Sequence, residues 1–138
     1  MYKAVFGSPE WYTIVHEEAH ALLAGLPEAS PRFSMIERYR QFPAEYAYAD
    51  TREPGFVLRL HGRTAELTNG VLANESADMT VSIEWDVVAQ LVRLPQGPQF
   101  DAIAARALAD GRFTVTGDPA SAPISLESLH NAVAARTL

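Results

Sequence analysis

Residues 77–94 read ADMTVSIEWDVVAQLVRL, and the spacing of their apolar side chains changes partway along. Met79, Val81 and Ile83 alternate with Thr80 and Ser82, the period of a strand with one buried face. From Trp85 the period becomes helical. Trp85, Val88, Ala89 and Val92 make one stripe of a helix running to Leu94, and Val87, Leu91 and Leu94 make another. A helix apolar over more than half its circumference must touch apolar material on two sides, and a single sheet covers only one of them. Its second neighbour is either another helix or a bound apolar molecule.

Outward from this stretch the chain alternates strands and helices. Pro95, Gly97 and Pro98 break it, after which Phe100, Ile103, Ala104, Ala107 and Leu108 repeat at amphipathic helical spacing as far as Gly111. RFTVTGD (112–118) reads as a short strand, and Ser125 as the cap of a last helix whose inward face carries Leu126, Leu129 and Val133. Towards the N-terminus, Ser8-Pro9-Glu10 starts a helix that Gly25, Leu26 and Pro27 end. FSMIERYRQF and EYAYAD alternate polar and aromatic residues as strands with one wet face do. GFVLRLHGR (55–63) and TAELTNG (64–70) are expected to pair, the second closing on an Asn-Gly turn signal.

With 138 residues the chain is expected to form one domain, 1–138, large enough to bury a core without disulfides or a structural metal. A net charge of −6 argues against nucleic acid as a partner, and Arg38-Tyr39-Arg40 reads as the solvated face of a strand. The absence of cysteine removes thiolate metal sites and cysteine nucleophiles. No run approaches the ~18 apolar residues of a membrane span, and MYKAVFGSPEW offers no signal sequence. The expectation is a cytoplasmic protein that does not insert into membranes. No G-x-S-x-G elbow, phosphate loop or G-x-G-x-x-G segment occurs, so hydrolase and nucleotide-binding readings have no support, and no cofactor is expected.

One motif points elsewhere. His16, Glu17 and His20 spell H-E-x-x-H, which on a helix is the zinc-peptidase signature and would make the protein a zinc-dependent hydrolase. Helical projection gathers Trp11, Val15, Ala19, Leu22 and Leu26 into the core-facing stripe and turns both histidines toward water, the wrong direction for a catalytic metal. Glu18 sits at a position usually uncharged, and no third ligand stands out, although Glu37 and Glu45 are free nominations. The expectation is a solvated histidine pair and no metal site.

From Phe56 onward the order of elements resembles the sterol carrier protein 2 family of lipid-binding domains. The resemblance rests on Ala77-Asp78-Met79-Thr80-Val81, on the doubly apolar helix from Glu84 to Leu94, and on Gly111-Arg112-Phe113-Thr114-Val115-Thr116-Gly117-Asp118 with a closing helix after it. The FGSPEW opening is similar to that of stand-alone bacterial members. The resemblance implies an α/β (α+β) fold in which a twisted, mostly antiparallel sheet carries helices on one face around an apolar tunnel, with a lipid, sterol-like or other apolar small molecule as partner and a homodimer left open. The implied tunnel walls are Trp85, Val88, Leu91 and Val92, then Phe100, Ile103 and Leu108, then Leu126, Leu129 and Val133. His130, on the apolar side of the last helix, is either neutral and bonded to a backbone carbonyl or a polar anchor at the tunnel end. Asp118 reads as a capping residue and His61 as a strand end. The alternative to a binding module is a small enzyme using the same cavity, with His130 or Asp118 as acid or base.

Overall fold

The computed structural model describes residues 2–138. Helix α1 (Pro9–Ala24) leads to strand β1 (Ser30–Arg40), a short 3-10 turn at Ala44–Tyr46, β2 (Glu53–Gly62), β3 (Thr64–Val71) and β4 (Met79–Glu84). Helices α2 (Trp85–Leu91) and α3 (Pro98–Ala109), strand β5 (Phe113–Gly117) and helix α4 (Leu126–Ala134) complete it. The strands form one open sheet in the order β3-β2-β1-β4-β5. Neighbours are antiparallel except β1 and β4, which run parallel at its centre.

Period-two patterning divides the sheet. Phe33, Met35 and Tyr39 of β1, Phe56, Leu58 and Leu60 of β2, and Met79, Val81 and Ile83 of β4 face the helices and form the main core with them. On the opposite face Ile36, Val57 and Val71 make a small second cluster with Ala77. The β4-to-α2 switch read from the sequence is present, with the helix one turn shorter than expected, because Pro95 and Gly97 follow closely. Its second apolar side meets α3. Ala104 and Ala107 are the buried residues of α3, and their small size lets the two helices approach closely, while Leu108 is 51% exposed.

Helix α1 starts where expected, with the Ser8 hydroxyl accepting a hydrogen bond from the Trp11 amide at 3.2 Å. Its buried face is wider than the expected stripe, comprising Trp11, Tyr12, Ile14, Val15, Ala19 and Leu23. The reason is that α1 has two neighbours, lying over β2 and β3 on one side and beside α4 on the other.

Three local expectations need correction. Tyr39 of the Arg38-Tyr39-Arg40 run is not solvated but fully buried in the main core, because strand alternation turns it to the face opposite the two arginines. EYAYAD is not a strand: beyond Pro43 the chain takes the 3-10 turn, and Tyr46 packs its ring on Trp85 with centroids 4.4 Å apart. Tyr46 is thus an anchor to the core, while Tyr48 lies under the Arg52 guanidinium, 4.5 Å from its ring centroid. The Asn-Gly pair is not a turn either, since Asn69 lies within β3 opposite Phe56 and the β2–β3 hairpin reverses around Gly62 and Arg63.

The segment that ends in Gly117 has a steric explanation. Gly117 adopts φ +85°, and a Cβ there would fall 2.1 Å from the Asp78 carbonyl oxygen, so only glycine fits. Asp78 in turn accepts a hydrogen bond from the Ser34 amide at 2.8 Å, which ties the start of β4 to β1. Asp118 accepts from the Ala120 amide at 2.9 Å, as a capping residue does.

Candidate functional site: a cavity between the sheet and helices α1 and α4

A cavity of about 160 Å³ lies where the middle of the sheet meets the helical layer. Met35 and Glu37 of β1, Phe56 of β2, and Met79 and Val81 of β4 form its floor. Trp11 and Val15 of α1 wall one side, and Leu126, Leu129, His130 and Val133 of α4 the other. Val92 and Gln96, just beyond α2, complete the lining, and the exposed Gln96 marks the end nearest solvent. The two helical walls are pinned together. Trp11 Nε1 donates to Thr137 Oγ1 at 3.1 Å, and that hydroxyl donates to the Val133 carbonyl at 2.8 Å. The chain ends add a bridge, with the Ala4 amide donating to Arg136 and the Leu138 amide to Ala4, both at 2.9 Å.

Of the residues expected to line a tunnel, the structure gathers Val92, Leu126, Leu129 and Val133 around this cavity, with His130 beside them. Trp85, Val88 and Leu91 are buried in a solid part of the interior instead. Trp85 packs among Phe6, Tyr39 and Tyr46, with ring centroids 4.6, 6.1 and 4.4 Å away. Phe100 stands edge-on to His130 at 4.7 Å, Ile103 faces an outer groove with Val87 and Ala107, and Leu108 looks toward solvent.

His130 Nε2 donates to the Leu94 carbonyl at 2.6 Å, so one ring nitrogen is held by backbone at the cavity edge. Burial pushes its pKa below the ordinary histidine value, partly opposed by the carbonyl bond, which favours the neutral ring. Asp118 is exposed and stands outside the lining.

The most polar lining residue is Glu37. It sits on the central strand, flanked in register by Phe56 and Val81. Burial raises its pKa above the usual carboxylate value, and a hydrogen bond donated by the Tyr39 hydroxyl to Oε1 at 2.8 Å opposes that rise. Burial likewise pushes the Tyr39 and Tyr12 phenols up, which keeps both neutral. A signal for Glu37 exists in the sequence, because strict alternation in FSMIERYR puts it on the face of Phe33, Met35 and Tyr39. There it reads as a strand residue, named only as a free nomination for a third metal ligand.

The H-E-x-x-H residues lie apart from this cavity. His20 is exposed, and His16 is half-buried against β3, where its Nε2 donates to the Ala65 carbonyl at 2.6 Å. Glu17 and Glu18 both approach Arg136 at 3.5 Å. No cluster of three metal-ligating side chains occurs among the described residues.

No family model and no curated protein matches the sequence. Solved structures do match its shape. A crystal structure of sterol carrier protein 2 superposes with a TM-score of 0.57 at 11% identity, covering 94% of this chain and 97% of that one. The sterol carrier protein domain 2 of Helicoverpa armigera gives 0.53 at 17% identity, with 95% and 91% covered. A conserved hypothetical protein of Thermus thermophilus, described as possibly a sterol carrier protein, gives 0.50 at 14% identity, with 99% and 93% covered. These likenesses run across nearly the whole of each chain, so the protein has the α+β fold of sterol carrier protein 2.

Proposed function

We propose that this protein binds a lipid, sterol-like or other apolar small molecule in the cavity between the sheet and helices α1 and α4, and that it holds its guest without transforming it. The observation that carries this reading is the hollow itself, bounded by Met35, Met79, Val81, Val92, Leu129 and Val133 between the sheet and two helices. A void of about 150 Å³ has room for a guest the size of benzene. At 160 Å³ the cavity matches one ring or a short length of chain, so a larger guest extends out past Gln96 and Leu126. Burial of apolar area, worth about 25 cal/mol per Å², supplies most of the affinity, and with few directional contacts the specificity for tail shape is loose. The fold adds support, since the solved structures it matches include proteins named as sterol carriers.

Titration with the neutral fluorophore N-phenyl-1-naphthylamine, paired with native mass spectrometry after mild extraction, tests the proposal. Saturable fluorescence enhancement, abolished by substitutions that fill the cavity, is the expected result. No saturable binding and no co-purifying apolar molecule would overturn it.

A further inference from the structure

Glu37 stands out among the lining residues as the one carboxyl group, on a floor otherwise made of Met35, Phe56, Met79 and Val81, with the polar Gln96 and His130 on the walls. Only Tyr39 donates a hydrogen bond to it among the described residues, and only to Oε1. The salt bridges of the fold lie elsewhere, so no arginine or lysine side chain among the described residues pairs with it. The second oxygen is not sealed within protein, and the accessible part of the side chain turns toward the cavity. A guest that covers this oxygen without offering a donor leaves a desolvated acceptor unpaired, which is costly, whereas a guest that brings a donor avoids that cost.

We infer that Glu37, positioned by Tyr39, is the polar recognition point of the cavity, and that it selects apolar guests whose inner end carries a hydrogen-bond donor, a hydroxyl or an ammonium group. The inference rests on the binding role proposed above. A guest with a donor head satisfies the free acceptor while its ring or chain lies among Val81, Leu129 and Val133. A plain hydrocarbon displaces water from the carboxyl group and gives no donor in return, and a carboxylate-headed guest offers another acceptor where a donor is needed. Sites built to pair with a polar substituent discriminate strongly against guests that lack it, because their own buried group is then left unpaired. The apolar walls set what size enters, and Glu37 sets which end points inward.

Calorimetric titration with four ring-sized probes tests this: toluene, benzyl alcohol, benzylamine and benzoate, each against the wild type, Glu37→Gln and Glu37→Leu. In the wild type the alcohol and the amine are expected to bind roughly tenfold more tightly than toluene, as one hydrogen bond that keeps a covered acceptor paired allows, with benzoate the weakest. Glu37→Leu is expected to reverse the order in favour of toluene. Glu37→Gln, which preserves shape, is expected to lose the amine while keeping the alcohol, and it carries the test should the leucine variant not fold. Equal affinity for toluene and benzyl alcohol in the wild type, or an order unchanged in both variants, would overturn the role of Glu37 while leaving the cavity a binding site. Failure of all four probes on every variant would overturn the binding reading itself.

Discussion

One helical layer meets one sheet in two places, and only one of them is full. Beneath α2 the ring of Trp85 is wedged among Phe6, Tyr39 and Tyr46, aromatic side chains brought together from separate segments of the chain. Between α1 and α4 the facing residues are Met35, Met79, Val81, Leu129 and Val133, and about 160 Å³ stays open between them. Both places are apolar, and both obey the same strand and helix periods. What separates them is how the side chains meet: rings from three other segments close on Trp85 from several sides, whereas the side chains around the second place, Trp11 and Phe56 included, do not meet across it. A hydrophobic pattern specifies where a core lies, and the way its side chains meet decides whether it is solid.

The sharpest way to break this contrast is to empty the filled side. Trp85→Ala removes the ring on which three aromatic neighbours pack, and the expected loss of stability is about 3–5 kcal/mol by urea denaturation. A cost below about 1 kcal/mol would place slack packing there as well. A matched pair of enlargements gives the next largest effect. Val88→Phe forces a ring into the solid interior beneath α2 and is expected to cost about 1–3 kcal/mol. Val133→Phe puts the same ring into the hollow and is expected to be neutral or to add up to about 1 kcal/mol, because filling a void is commonly stabilising. Equal costs at the two positions would erase the distinction.

The smallest effect concerns pH. Burial depresses the pKa of His130, so the folded protein holds this proton less tightly than the unfolded chain. The stability due to the neutral ring is complete above the unfolded value of 6.5 and is lost as pH falls from there through the lowered folded value. Urea midpoints taken across that range should therefore decline less in His130→Gln than in the wild type. Identical declines would remove the histidine from the account.

Much of the architecture was legible because it rests on local periods. Met79, Val81 and Ile83 alternate, the helix begins at Trp85, and Ser8 and Ser125 cap the helices they precede. The stretch after β1 was not legible, because the tyrosines of EYAYAD are spaced like a strand while Tyr46 is fixed by a distant tryptophan. Asn69-Gly70 failed for a related reason, since the hairpin had already turned at Gly62 and strand pairing continued through the local signal. For the cavity, the inward faces of α4 and of the residues just after α2 were readable, but the location of the void was not. Whether Trp85 or Val133 borders open space depends on which rings arrive from elsewhere in the chain, and no local spacing carries that information. Glu37 lay between these cases: alternation assigns its face, and only the tertiary structure shows that this face opens on a hollow.

The most direct measurement is a crystal structure determined under xenon pressure, since xenon enters apolar voids without needing a specific chemical group. The account predicts one ordered xenon among Met35, Val81, Leu129 and Val133 and none beside Trp85. Xenon absent from the first place, or bound beneath Trp85 instead, would contradict it.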